Sequence, residues 1–216
     1  GTELLEDKVK EAVAAAVMSL EESVDLEEQG CYVSPSITSE DEALKTACET
    51  MNKYVGARIT YQFGDKSETL SGDEIRNWLT VNGTSVGINE GKATEYVKKL
   101  AASYDTAYKA KSLKTSYGKT VSITGGSYGY KINKAKEAAT LVSLIKNGEQ
   151  TSREPEYSQK AASHGANDYG DTYVEINLTG QHLFFYKEGK LVVESDFVSG
   201  NLAKGWGTPA GSYPLA

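Results

Sequence analysis

The 216-residue chain is poor in the residue types that most often carry chemistry: two cysteines, two histidines, four prolines and two tryptophans. Cys31 and Cys48 are too few for a secreted disulfide framework and lack the spacing and partners of a zinc site. A Cys31–Cys48 bridge stays open, while Cys48 falls on an apolar helical stripe that predicts core packing. No His/Asp/Glu cluster has metal-ligand spacing, and no Cys or Ser has the glycine-flanked setting of an elbow nucleophile. His164 lies in a loop, and His182 opens a strand with no nucleophile near it in sequence, which favours a structural role. The residues therefore offer no catalytic group, no metal ligand and no cofactor site. No apolar run is long enough for a transmembrane helix. Charge from the third residue onward excludes a signal peptide at the start, but the leading Gly-Thr resembles a cloning remnant, so a leader or anchor in the parent stays open.

Charge is present but uneven. Residues 1–50 hold 13 acids and 3 bases, which leaves 17 acids and 20 bases for the remainder of a chain with net charge −7. Within 92–146, 11 lysines face only Glu95, Asp105 and Glu137, with six tyrosines interleaved. Such a patch is either a solvated lysine face or a surface for an anionic polymer, nucleic acid or a carboxylate-rich wall polymer.

Periodicity predicts mixed secondary structure. A helix over 4–22 carries Leu5, Val9, Val13, Ala16, Val17 and Leu20 on one face. A linker follows, and the capping box Ser39–Glu42 opens a helix with Leu44, Ala47, Cys48, Met51 and Val55 inward. "ARITYQF" alternates as a strand closed by a Gly64-Asp65 turn; a second capping box, Ser71–Glu74, starts a short helix with Ile75, Trp78 and Leu79. Further on come a helix over 89–104 and a strand pair near 111–116 and 119–124. "TGGSYGYKIN" then leads into a helix over 134–146, closed by an αL cap at Asn147-Gly148. The strand–turn–strand–helix order recurs in 57–79 and 119–146, too loosely for a sequence repeat. "EPEYSQKAASHGANDYG", residues 154–170, is rich in loops and small residues, a domain boundary. After Asp171 only strands and turns follow, among them a hairpin with its tip at Lys187-Glu188-Gly189.

Two stretches invite a functional reading. Gly125, Gly126 and Gly129 allow a tight turn and close backbone approach, with Tyr128 and Tyr130 set to stack on sugar rings or bases, or to staple a core. The terminal 46 residues supply about three strands, which cover one face of a core without enclosing it, so the chain is expected to be a fragment.

The stretches "NDYGDTYVEINLTGQHLFFYKEGKLVVESDFVSGN" and "GTPAGSYPL" resemble the opening of the L,D-transpeptidase catalytic domain, the YkuD or ErfK/YbiS/YcfS/YnhG family. "YVGARITYQFGDKSETLSGDEIRNWL" and "GKTVSITGGSYGYKINKAKEAATLVSLIKNGE" resemble the peptidoglycan-binding domain that precedes it in many Gram-positive bacteria. The resemblance implies a parent that attacks a tetrapeptide stem with a cysteine thiolate, releases D-alanine and passes the acyl group to an amine, forming a 3→3 cross-link. The family's histidine and Ser-x-Gly-Cys segment lie beyond Thr208–Tyr213, so this chain is expected to be inactive. The implied fold is α+β, a mixed helix/strand domain followed by the first strands of an incomplete all-β catalytic domain. Its parts are 1–38 (tail of a preceding unit), 39–168 (peptidoglycan-binding domain) and 169–216 (catalytic strands). The implied partner is peptidoglycan, glycan and stem peptides, held by Tyr128, Tyr130, Gly125, Gly126 and Gly129, without nucleic acid or cofactor. The implied place is the cell envelope outside the cytoplasm, with membrane contact only through an anchor that this chain lacks. A non-catalytic wall-binding or spacer module is the alternative.

Overall fold

A computed structural model describes residues 3–34, 41–165 and 167–215. Two compact units divide the chain, Gly1–Glu49 and Thr50–Ala216.

In the first unit, α1 (Glu6–Ser19) ends at Leu20 in the left-handed conformation. Beside it, Leu4 and Tyr32 form an antiparallel bridge. The apolar stripe expected along this helix is mostly open: Ala12 and Ala16 are buried, whereas Val13, Val17 and Leu20 are exposed. The expected capping box falls partly outside the described residues, at Ser39 and Glu40. Asp41 accepts from the amides of Ala43 and Leu44, the side-chain geometry of an N-cap. It leads into α2 (Glu42–Val55), which crosses the unit boundary. Cys48 is exposed, contrary to its expected place in the core, because only Ala47 on that face is buried. Cys31 is buried, and both thiols are free.

The second unit opens with β1 (Arg58–Phe63), whose alternation sends Ile59, Tyr61 and Phe63 inward. It pairs antiparallel with β2 (Lys66–Leu70) across the expected Gly64-Asp65 turn, Gly64 at φ +67. Next come α3 (Gly72–Ile75) and a 3₁₀ turn over Arg76–Trp78. Ser71 makes no side-chain capping bond, so the second expected capping box is not formed. Leu79 leaves the helix to begin β3 (Leu79–Asn82), which pairs with β4 (Ser85–Ile88) through Gly83 at φ +60. Glycine at the first loop position suits a type II′ hairpin; the signal stood in "VNGTSV".

Two long helices complete the core. In α4 (Glu90–Tyr104), capped by Asn89, and α5 (Lys134–Asn147), capped by Asn133, side-chain oxygens accept from the amides of Lys92 and Lys136. Gly148 closes α5 at φ +69, as the sequence predicts. Val97 and Leu100 of α4 and Leu141 and Ile145 of α5 join the inner face of β1 in one cluster. Between the helices lie β5 (Lys111–Lys114), β6 (Thr120–Ile123) and β7 (Lys131–Ile132).

Residues 150–159 hold two strands that the sequence does not predict, the second inside the stretch expected to be loop. There β8 (Gln150–Arg153) runs parallel to β1, giving the order β2-β1-β8, and β9 (Tyr157–Gln159) pairs with β7. A four-residue polar strand has no periodic signature; its partner fixes it from about ninety positions away in the chain. At the C-terminal side β10 (Tyr173–Asn177), β11 (His182–Lys187) and β12 (Lys190–Asp196) form an antiparallel sheet. Glu188 and Gly189, both at positive φ, make its expected tight tip.

One buried network ties the second unit together. Glu137 is fully buried on α5 and accepts from the Tyr61 hydroxyl at 2.6 Å, from Arg153 Nη1 at 2.6 Å and from the Glu156 amide at 2.6 Å. Strand β1, helix α5 and the β8–β9 segment thus share one satisfied carboxylate.

Candidate functional site

The glycine-rich turn is the densest meeting point of the residues singled out in the sequence. Gly125, Gly126 and Gly129 stand at φ +90, +81 and +138. Their partner is the chain itself. Gly126 and Ser212 form a parallel bridge, the Tyr128 amide donates to the Ser212 carbonyl at 3.0 Å, and the Ser212 amide donates to the Gly125 carbonyl at 3.1 Å. A Cβ on Gly126 would enter the Ser212 carbonyl, and one on Gly129 the Thr106–Ala107 backbone. Here the absent side chains make room for backbone.

The two tyrosines separate. Tyr128 is half-buried; its hydroxyl donates to the Asp168 carbonyl and accepts from the Ala162 amide. Tyr130 is buried, with His164 stacked on its ring at 3.9 Å and 8° and Tyr157 tilted beside it at 5.0 Å. Burial pushes the Tyr130 hydroxyl above its ordinary pKa. His164, expected in a free loop, is therefore a packing residue for this ring.

His182 sits at the start of β11, as the sequence predicts. Its Nδ1 meets Asp196 at 2.7 Å and its Nε2 meets Glu194 at 3.5 Å. The Asp196 contact, followed by Glu194, raises the imidazole pKa above its ordinary value. Both carboxylates lie on the neighbouring strand β12, and no thiol or hydroxyl nucleophile contacts the ring among the described contacts.

Two concave surfaces accompany these residues. A cleft of about 400 Å³ is lined by Lys111, Leu113 and Ile123, by Tyr128, by Tyr173 to Ile176 and by Gly211 to Leu215. A wider groove of about 820 Å³ runs between α4 and α5. Glu90 and Thr94 of α4 line it on one side, and Lys134, Ala135, Ala138, Ala139, Val142, Ser143 and Lys146 of α5 on the other. Lys146 lies 3.9 Å from Glu90. Of the 11 lysines in 92–146, only Lys111 is buried. Tyr96 and Tyr130 go into the interior, whereas Tyr108 and Tyr117 stay exposed. No group of three metal-ligating side chains occurs among the described residues.

Comparison with known proteins adds three findings. Residues 37–153 match the family described as putative peptidoglycan binding domain. A cysteine-to-serine mutant of the Enterococcus faecium L,D-transpeptidase is similar at 28% identity and TM-score 0.57, over 76% of this chain and 65% of that one. The Ldtfm–avibactam carbamoyl enzyme is similar at 28% identity and TM-score 0.58, over 78% of this chain and 65% of that one. The chain thus spans about two thirds of the length of either structure. No curated protein matches it. The resemblance seen in the sequence, an L,D-transpeptidase with a peptidoglycan-binding domain upstream, and the α+β fold both agree with these findings.

Proposed function

The chain belongs to the family of putative peptidoglycan binding domains, and from that premise we propose that it is the wall-directed front of an L,D-transpeptidase. In this reading residues 39–168 hold the enzyme on peptidoglycan and residues 169–216 begin the catalytic sheet. The carrying observation is the reach of one match. A single L,D-transpeptidase chain covers 76% of this one, more than residues 37–153 alone supply. The working place is the cell envelope outside the cytoplasm; no helix among the described residues is long and apolar enough to cross a membrane.

We place the wall contact in the groove between α4 and α5. Lys134 and Lys146 line it, suited to the carboxylates of stem peptides, while its three alanines suit their small side chains. Purified sacculi should pull the protein into the pellet, with retention that falls as salt rises. Lys134→Glu/Lys146→Glu should lower that retention several-fold. Wild-type protein left in the supernatant would refute wall binding; unchanged retention by the double variant would move the contact elsewhere.

The parent reaction in this reading is cysteine acyl transfer to form 3→3 cross-links, and these 216 residues supply its positioning part rather than its thiol. Acyl transfer needs a thiolate beside a base. The Cys31 thiol is buried, with the Gln29 carbonyl at 3.9 Å. The His164 ring is stacked on Tyr130, and both nitrogens of His182 face carboxylates. Mass spectrometry after incubation with avibactam should show no adduct; a carbamoyl group on either cysteine would overturn this assignment. The alternative, a non-catalytic wall-binding or spacer module, shares the sacculus result and predicts no transpeptidase activity in the parent.

A further inference from the structure

We propose that the β5–β6 hairpin and the glycine-rich turn are a docking seat for the C-terminal strands. The peptidoglycan-binding segment and the β10–β12 sheet would then move as one body rather than as tethered modules. The proposal rests on the domain reading above, in which 169–216 begins the catalytic sheet.

Two separate contacts build the seat, and a buried ion pair braces it. At the hairpin tip, Glu175 of β10 is 5% exposed. Its carboxylate accepts from the Ser116 amide at 2.9 and 3.2 Å and from the Ser116 hydroxyl at 2.7 Å. The same hydroxyl meets Tyr186 of β11 at 2.8 Å, and Tyr117 sets its ring edge-on to Phe184 at 5.5 Å. A buried carboxylate is costly unless its lone pairs are satisfied, and the hydrogen bonds that satisfy this one come from the hairpin.

At the base of the hairpin, Lys111 and Asp168 form an ion pair with side chains 8% and 6% exposed. Lys111 Nζ also donates to the Thr106 carbonyl at 2.8 Å, and the Thr106 hydroxyl donates to Asp168 at 2.6 Å. This pair lies within residues 39–168 and fixes the base of the hairpin to the end of that segment, just before β10. The second contact is the bridge between Gly126 and Ser212, where only glycine lets the backbones meet. A flexible linkage between modules would have no use for a buried carboxylate and a backbone bridge at two separate points.

Hydrogen–deuterium exchange on the whole chain tests the seat. Ser116→Ala and Glu175→Gln should each raise exchange in peptides covering 173–187 at least several-fold. Combining them should add less than the sum of the two, because both weaken the same contact. Gly126→Val should raise exchange over 206–215. Peptides from α4 and α5 should stay at wild-type rates in all of these, which separates undocking from unfolding. Unchanged exchange over 173–187, or fully additive effects of the Ser116 and Glu175 substitutions, would overturn the seat. If Gly126→Val unfolds the chain, the Ser116 and Glu175 variants still decide. Sacculus retention is read independently, so its failure would count against the wall-binding reading and not against docking.

Discussion

Replacing Glu137 by alanine is the sharpest test of how the second unit is held together. The side chain is fully buried and satisfies Tyr61, Arg153 and the Glu156 amide, each at 2.6 Å. Its loss leaves a tyrosine hydroxyl without an acceptor inside the core, and an arginine whose remaining partner is Glu156 at 3.1 Å. Breaking a buried ion pair costs about 3–5 kcal/mol. Arg153 is 21% exposed and regains some hydration, which favours the lower end. The stranded hydroxyl and amide add about 1–3 kcal/mol. These losses overlap, so we expect about 4 kcal/mol in all. At roughly 2–4 °C per kcal/mol for a chain of this size, Tm should fall by about 8–16 °C in a thermal melt followed by circular dichroism. Tyr61→Phe removes only the hydroxyl and should cost about 1 kcal/mol. Asp73→Asn, which breaks the exposed pair with Arg76, should change Tm by less than 2 °C or so. A Glu137→Ala melt within about 2 °C of wild type would refute the reasoning, because the network would then carry no net stability.

Other outcomes follow from the same structure. Burial first, then the Glu137 charge, raises the Tyr61 hydroxyl far above an ordinary tyrosine. The unfolded chain ionises at about pH 10 while the folded one does not, so stability to urea should decline as pH rises past that point, and less so in Tyr61→Phe. The raised His182 pKa means that its pairing with Asp196 supports the fold fully below about pH 6.5 and is lost as pH rises through the folded value. An NMR titration should place this imidazole above the ordinary histidine value of about 6.5, and Asp196→Asn should bring it down; no change would disprove the pairing. Native protein should react with a thiol reagent at Cys48 and spare Cys31, and both should react in guanidinium. Two fast thiols in the native state would contradict the burial of Cys31.

Much of the local structure was legible in the sequence because it is written in local chemistry. The alternation of "ARITYQF", the glycine cap after α5 and the hairpin tip at Glu188-Gly189 depend on nearest neighbours along the chain. Errors arose where local chemistry was silent or was overruled. Cys48 lies on an apolar stripe, yet burial is a property of what covers a stripe. Ser71 and Glu74 have capping-box spacing, yet the chain takes up a four-residue helix without the bond. Strand β8 is polar and short, and only its parallel pairing with β1 makes it a strand.

The same division runs through the candidate site. Sequence alone marked Gly125, Gly126 and Gly129 as places of close backbone approach, since no other residue has their conformational freedom. It determined the resemblance to a wall enzyme as well. What approaches those glycines, Ser212 and the 106–107 backbone, was settled only by the tertiary structure, as was the place of His164 against Tyr130. Such contacts join residues dozens of positions apart, and their energy exists only once the intervening chain has folded to bring them together.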